Sequence, residues 1–410
     1  MKNLNIYSDA AIRKLLILFL VSLAVVPPMG SVRMDFALSV LVMGGILLIK
    51  STVRIQKLII AGILFFIVLP ITSTIYTAAL QGVDINSVGM VSLFGNVRLL
   101  AVFGFALLIG KDKPYLYDDL MRYVLLYCVL IILVGYVEFF IPELRENISS
   151  LYSTKYTEEL ANEILIFFRI KSSVNHPANF SLVCLIALII VFNLRCSKMF
   201  AVAIAILAFV AGVLSASKTF LFGIVVLILQ FVITGRAKGV LGAVIVCATV
   251  FGFVILFASD FDFKVIQLIT NLMDKGVMSS LQTRFGSDGF LNSSIDFLTG
   301  NNGIGVGFNY VENVFQGDSL YLTISMQSSV YIALILTAIM LVHYFIQILN
   351  KNTLQSDLLI VLLACGVGYP SFFGTRTGEV VMLLLGFLIS YRAARCSMTN
   401  EKNEESYIRN

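Results

Sequence analysis

Apolar runs of about 18 to 22 residues recur from one end of the chain to the other, each long enough to cross the hydrocarbon layer of a bilayer. A chain built this way must satisfy its backbone polar groups inside each crossing, and a bundle of helices does so. Composition agrees. Of 410 residues, 59% are hydrophobic and 13% charged, against about 25% charged in soluble domains, and mean hydropathy is +0.94. An ordinary soluble globular enzyme is excluded. The formal charge of +5 gathers in short connections, which is a membrane-topology pattern and not a nucleic-acid footprint.

Hydropathy predicts an all-α polytopic membrane protein with about twelve spans, near 12–32, 35–50, 57–80, 88–110, 120–141, 173–194, 198–215, 218–235, 239–259, 319–349, 356–373 and 376–391. Lys50, Arg54, Lys57, Lys111, Lys113, Arg195, Lys198, Arg236, Lys238 and Lys351, with both termini, hold most of the 29 basic residues. The positive-inside rule then places both termini in the cytoplasm. Residues 15–26, after Arg13 and Lys14, lack a small-x-small cleavage pattern and read as a retained span. Residues 1–410 form one integral membrane domain. Two connections exceed mere turns, 142–171 and 260–318, and span parity puts both on the outer side; 392–410 is a charged cytoplasmic tail.

Cys128, Cys184, Cys196, Cys247, Cys365 and Cys396 form neither a disulfide framework nor a CxxC pair. The only histidines, His176 and His343, have no zinc-ligand spacing with any cysteine, so neither metal nor cofactor is predicted. Attention passes to cations that break the positive-inside rule, because a basic side chain on the outer side gains nothing in topology. They are Arg169 and Lys171 before the sixth span, Lys218 between spans seven and eight, Arg284 in the second long connection, and Arg376 before the last span; Arg98 lies within span four. Guanidinium groups bind phosphate in two-point fashion, so cations converging on one outer cavity would suit a diphosphate ligand. The competing reading pairs each with an acid such as Glu138, Glu159, Glu163 or Glu379.

His176, just before Pro177, could serve as a general acid or base near neutral pH, or simply finish a helix end. Asp318 and Ser319 precede span ten, where either is an ordinary N-cap, and Asp318 could instead activate an acceptor hydroxyl. His343, in the cytoplasmic half of a span, reads as structural. The stretch Gly300-Asn-Asn-Gly-Ile-Gly-Val-Gly307 permits positive φ and close backbone approach to a ligand. It follows no strand, which argues against dinucleotide binding.

Three features occur in order: Arg169 followed by Asn-His-Pro-Ala-Asn-Phe, then Leu-Ser-Ala-Ser-Lys-Thr, then Arg284 and Gly-Ile-Gly-Val-Gly-Phe before Asp-Ser-Leu-Tyr-Leu. Over about residues 165–350 this order resembles the O-antigen polymerase and ligase superfamily. The resemblance implies a GT-C-like helical glycosyltransferase of the bacterial inner membrane, with two periplasmic loops, acting on undecaprenyl-diphosphate-linked glycans at the periplasmic face. It needs no cofactor, and its implied partners are a chain-length regulator of the polysaccharide co-polymerase type and a repeat-unit flippase. Arg169 and Arg284 would be the first diphosphate contacts, with Lys171, Lys218, Arg376 and Arg98 in support; the base would be Asp318 or His176. Ligases of the superfamily commonly carry His where Asp318 stands, so the departure favours a polymerase. Lys218 replaces a frequent Arg, keeping charge but losing the fork. A ligase, a transporter or flippase for an anionic lipid-linked substrate, and a membrane scaffold are the competing expectations.

Overall fold

The computed structural model describes residues 9–27, 57–81, 87–152, 170–174, 176–194, 196–236, 291–309, 319–368 and 376–391. The expected spans 35–50 and 239–259, the tail 392–410, and the candidates Arg169, Arg284 and Asp318 lie outside the described residues.

Among the described residues the fold is helical throughout, with one isolated antiparallel bridge between Ile304 and Ser329. The helices are α1 (Asp9–Val25), α2 (Lys57–Ile63, a π-helical stretch Leu64–Val68, and Leu69–Gln81), α3 (Ser87–Asp112), α4 (Tyr117–Phe140) and α5 (Pro142–Tyr152). They continue with α6 (Pro177–Asn193), α7 (Lys198–Leu214), α8 (Lys218–Ile233), α9 (Asn292–Gly300), α10 (Leu320–Gln327), α11 (Val330–Leu349), α12 (Thr353–Cys365) and α13 (Thr377–Tyr391). Four helices, α2, α3, α4 and α11, are long and apolar enough to cross a membrane, and five shorter apolar ones join them.

Helix α6 is the axis. Pro177 through Val191 are all buried, against α4, α7, α8 and α12. Helix α11 is equally apolar yet open: Tyr331, Leu334, Ile335, Ile339, Val342, Phe345 and Leu349 are exposed. In water such a stripe would be a liability; facing lipid tails it costs nothing. The apolar helices thus suit a membrane-embedded chain.

Two ends are defined by their contacts. Lys113 binds Asp9, Arg13 Nη2 meets Asp119 Oδ2 at 2.8 Å, and Tyr117 stacks on Tyr391 at 4.7 Å. Through the α4 and α6 directions, Arg236 and Asp357 belong to this same end. Val25, Glu138, Tyr152, Lys171 and Arg376 occupy the other.

The expected single span 319–349 is instead two helices, broken at Ser328 and Ser329. Ser329 caps α11 by accepting from Ile332 N at 3.3 Å, which offsets the cost of restarting a helix by about 1 kcal/mol. The break is filled by residues 303–309. Gly305 N donates to Ser328 O and Gly307 N to Met326 O, both at 3.0 Å, and Val330 N donates to Gly303 O at 2.9 Å. On the other side Thr74 Oγ1 accepts from Phe308 N at 2.8 Å, and Ser73 Oγ donates to Ser328 O at 2.8 Å. A Cβ at Gly305 would overlap the Met326 carbonyl, and one at Gly307 would overlap Thr74. These glycines therefore bring backbone close to backbone, not to a ligand. Below the seam, Pro70 has no N–H for Phe66 O, and Asn96 Nδ2 supplies one at 2.9 Å.

Candidate functional site

Besides the glycine-rich stretch, where Asn302 has φ +53°, three segments singled out by charge and motif contain backbone in the left-handed region. Ser172 has φ +53°, Ala216 in the Leu-Ser-Ala-Ser-Lys turn +48°, and Arg376 +67°. Each such residue costs about 1–3 kcal/mol and persists where surroundings hold it.

Around Arg376 the elements converge from far apart in sequence. The residue is buried and precedes α13. Its Nη2 donates to Val26 O beyond the end of α1, and its guanidinium lies over the Tyr152 ring, 5.0 Å from the centroid. Tyr152 closes α5 and donates its hydroxyl to Val25 O. Burial pushes the Tyr152 phenol above its ordinary range, while the Arg376 charge opposes the shift. In the first turn of α13, Glu379 meets Arg98 of α3, Oε1 to Nε at 2.7 Å. Tyr127, fully buried in α4, faces Thr377 and feels the charges of Arg376 and Glu379.

A second cluster is joined to this one by α5. Glu138 Oε2 accepts from the backbone N–H groups of Lys171 at 3.0 Å and Ser172 at 2.6 Å, and Ser172 Oγ donates to Ile131 O at 2.7 Å. Consecutive N–H groups turned toward one oxygen by a left-handed residue form an anion-holding nest, here occupied by a carboxylate. Lys171 is buried beside it; burial pushes its ammonium below the ordinary value, and Glu138 pulls it back up. Arg145 of α5 donates from Nε to Glu138 O at 3.3 Å. Helix α5 thus lies over both clusters, with Arg145 on one and Tyr152 on the other.

The structure brings Arg98, Arg376 and Lys171 to one end of the bundle, with acids beside them: Arg98 on Glu379, Lys171 near Glu138. Lys218 is exposed in the first turn of α8, past a tight turn in which Ser215 Oγ lies 2.9 Å from Ser181 Oγ. His176 is the N-cap of α6, its Nδ1 accepting from Ala178 N at 3.1 Å. A neutral ring so engaged carries its proton on Nε2, which then donates. Action as a base would require His176 to surrender this cap. Ser319 caps α10 by accepting from Leu322 N at 3.0 Å. His343 Nε2 lies 2.8 Å from Gln355 Nε2 at the opposite end, as its structural reading requires.

Sequence reasoning passed over Tyr127, Tyr152 and Thr377. Tyr127 had one visible signal, a polar handle inside an apolar run, which needs a partner when buried. Among the described residues no group of three His, Cys, Asp or Glu side chains could hold a metal ion. Compared with family models, curated proteins and solved structures, the chain shows no match.

Proposed function

We propose that the chain is a polymerase of lipid-linked oligosaccharide repeat units: a twelve-helix, GT-C-like glycosyltransferase of a bacterial inner membrane, with both termini cytoplasmic. It transfers a glycan from undecaprenyl diphosphate onto another lipid-linked repeat unit at the periplasmic face, for O-antigen or a related polysaccharide. The observation that carries this reading is the burial of Arg98, Lys171 and Arg376 at the end of the bundle opposite Asp9 and Arg236.

The chemistry asks for what such an end supplies. The acceptor hydroxyl oxygen bonds to the anomeric carbon, its proton passes to a base, and the bond to the diphosphate oxygen breaks with its electrons. The leaving diphosphate gains negative charge, and cations fixed in a dry site stabilise it best. Arg376 supplies a fork, Lys171 a point charge, and Arg169 and Arg284 complete the set in this reading. With His176 Nδ1 engaged as a cap, Asp318 takes the role of base and His176 that of a donor. Lys218, being exposed, acts at the rim. A chain-length regulator and a repeat-unit flippase are the partners this reading requires.

The test is reconstitution with undecaprenyl-diphosphate-linked repeat units as sole substrate. A ladder of products spaced by one repeat is expected; no ladder, while a known polymerase elongates the same material, overturns the proposal. Transfer to added lipid A core would identify a ligase instead. A transporter of an anionic lipid-linked substrate is favoured by one observation, the helix broken at Ser328 and Ser329. It predicts protein-dependent movement of substrate across sealed vesicles without a ladder.

A further inference from the structure

Residues 170–174 precede α6 and contain only a single 3-10 turn, yet all five are buried. Buried backbone outside a regular helix needs partners for its N–H groups. Helix α4 supplies them from one face. Ile131, Gly135 and Glu138 are spaced by four and three residues, which stacks them along that helix. At one end of the row Ile131 O accepts from Ser172 Oγ at 2.7 Å; at the other, Glu138 Oε2 accepts from Lys171 N at 3.0 Å and Ser172 N at 2.6 Å. Between them, a Cβ on Gly135 would come within 2.9 Å of Ile170 Cγ2 and 2.7 Å of the Phe180 ring, so glycine lets the segment lie this close.

Ser172 sits at φ +53°, a conformation that a residue with a side chain keeps only where its surroundings hold it. The Glu138 carboxylate does so by collecting two consecutive N–H groups that this conformation turns the same way. Without it, two buried donors lose their acceptor and the strain is unopposed, so the segment relaxes. Lys171 moves with that relaxation, and it is one of the cations that carry the polymerase reading. We propose that Glu138 is a positioning residue: through the backbone of Lys171 and Ser172 it fixes the Lys171 ammonium where a lipid-linked diphosphate binds. The identity of that ligand rests on the polymerase reading. Arg145 steadies the clamp from α5, donating from Nε to Glu138 O at 3.3 Å in the last turn of α4. Neutralising the Lys171 charge is the competing role for Glu138. A glutamine separates the two, because its carbonyl oxygen still accepts from both N–H groups but carries no charge.

The experiment uses the full-length protein in lipid nanodiscs, with undecaprenyl diphosphate as the binding probe and amide hydrogen exchange read in the peptide covering 170–174. Glu138→Ala should speed exchange there and weaken probe binding, each by about 10-fold, the worth of a hydrogen bond to a charged group. Glu138→Gln should stay within about 3-fold of wild type in both. Glu138→Asp keeps the charge but shortens the reach by one methylene, so it should behave like the alanine variant and stands in should that one fail to fold. Lys171→Ala should also weaken binding, and adding Glu138→Ala to it should cost little more, because one residue acts through the other. Unchanged exchange at 170–174 in Glu138→Ala, losses that add in the double variant, or a wild type that does not bind the probe each overturn the positioning role. A glutamine variant as weak as the alanine one overturns it in favour of charge neutralisation. Ladder formation from lipid-linked repeat units in the same samples separates the two proposals. Coupled binding losses without a wild-type ladder keep the clamp and remove the polymerase; a ladder with additive losses does the reverse.

Discussion

At one end of the bundle Arg236 grips Asp357 at two points, Nη2 to Oδ1 at 2.6 Å and Nη1 to Oδ2 at 3.0 Å, and Asn193 Nδ2 adds a third bond at 2.9 Å. At the other, Arg98 Nε meets Glu379 at 2.7 Å. The acids are alike, both fully buried, but the Arg236 side chain is 24% exposed and that of Arg98 only 5%. The backbone differs too. Lys351, at φ +55°, is the second residue after α11, where Lys351 N and Asn352 N close the helix onto Ile348 O and Gln347 O at 2.9 Å. A left-handed residue there is an ordinary helix stop. Arg376 and Ser172 adopt the same region at the start of the helical segments that follow them. One end closes helices with saturated contacts; the other keeps charge dry and backbone strained, a combination found where ligands are handled.

The largest expected effect follows from dryness. Glu379→Gln leaves the Arg98 charge without its carboxylate in the interior and should cost about 3–5 kcal/mol, read as a lowered thermal midpoint in detergent. Asp357→Asn should cost only about 1–2 kcal/mol, because Arg236 can turn to water. Equal losses would break the contrast between the ends. Next, Gly307→Ala strains a residue at φ +71° and drives its Cβ into Thr74. A loss of about 2–3 kcal/mol is expected from strain and overlap together; a thermal midpoint matching the wild type would mean the seam between α2 and the broken helix is loose.

Helix existence was legible, burial was not. Residues of α6 and α11 read as the same kind of apolar run, yet one is enclosed and the other open. Hydropathy reports the preference for leaving water and is blind to whether protein or lipid takes its place. The break at Ser328 and Ser329 left a local trace, since serine before an apolar run is a cap signal. What fills it did not: Thr77 and Gly305, joined at 3.1 Å, are 228 positions apart. Arg98 and Glu379 could each be named from charge inside a span, but their pairing depends on α3 and α13 packing together. Burial in a shared interior likewise brings Tyr127 and Thr377 together, and no spacing rule links them.

The third prediction sets one left-handed residue against the other. Lys351→Gly should raise stability by about 0.5–1 kcal/mol, since glycine adopts that conformation without strain, and leave product formation unchanged. Arg376→Lys should alter stability less than Glu379→Gln but lower turnover at least 10-fold, because an ammonium loses the fork that a diphosphate engages. Normal turnover in the lysine variant would mean that charge alone matters at Arg376. Unchanged ladders in Arg376→Ala would remove this residue from the site altogether.

The smallest effect belongs to Asp9, exposed at the start of α1, whose carboxyl is held below its ordinary value by hydrogen bonds from Lys113 and Tyr115. A depressed carboxylate contributes stability that is present at neutral pH and lost as pH falls through its folded value. Water and salt screen so open a pair, so the difference between wild type and Asp9→Asn should be slight at pH 7 and shrink further in salt. Once the pH has fallen below that lowered folded value the carboxyl is protonated in folded and unfolded chains alike, and the two proteins should then melt together. A difference that survives acidification would assign Asp9 a role in capping α1, since Asn and neutral Asp differ in hydrogen bonding but not in charge. The Arg236–Asp357 fork then remains as this end's electrostatic clamp, its Asp357→Asn variant being the reference against which the Arg98–Glu379 pair is judged.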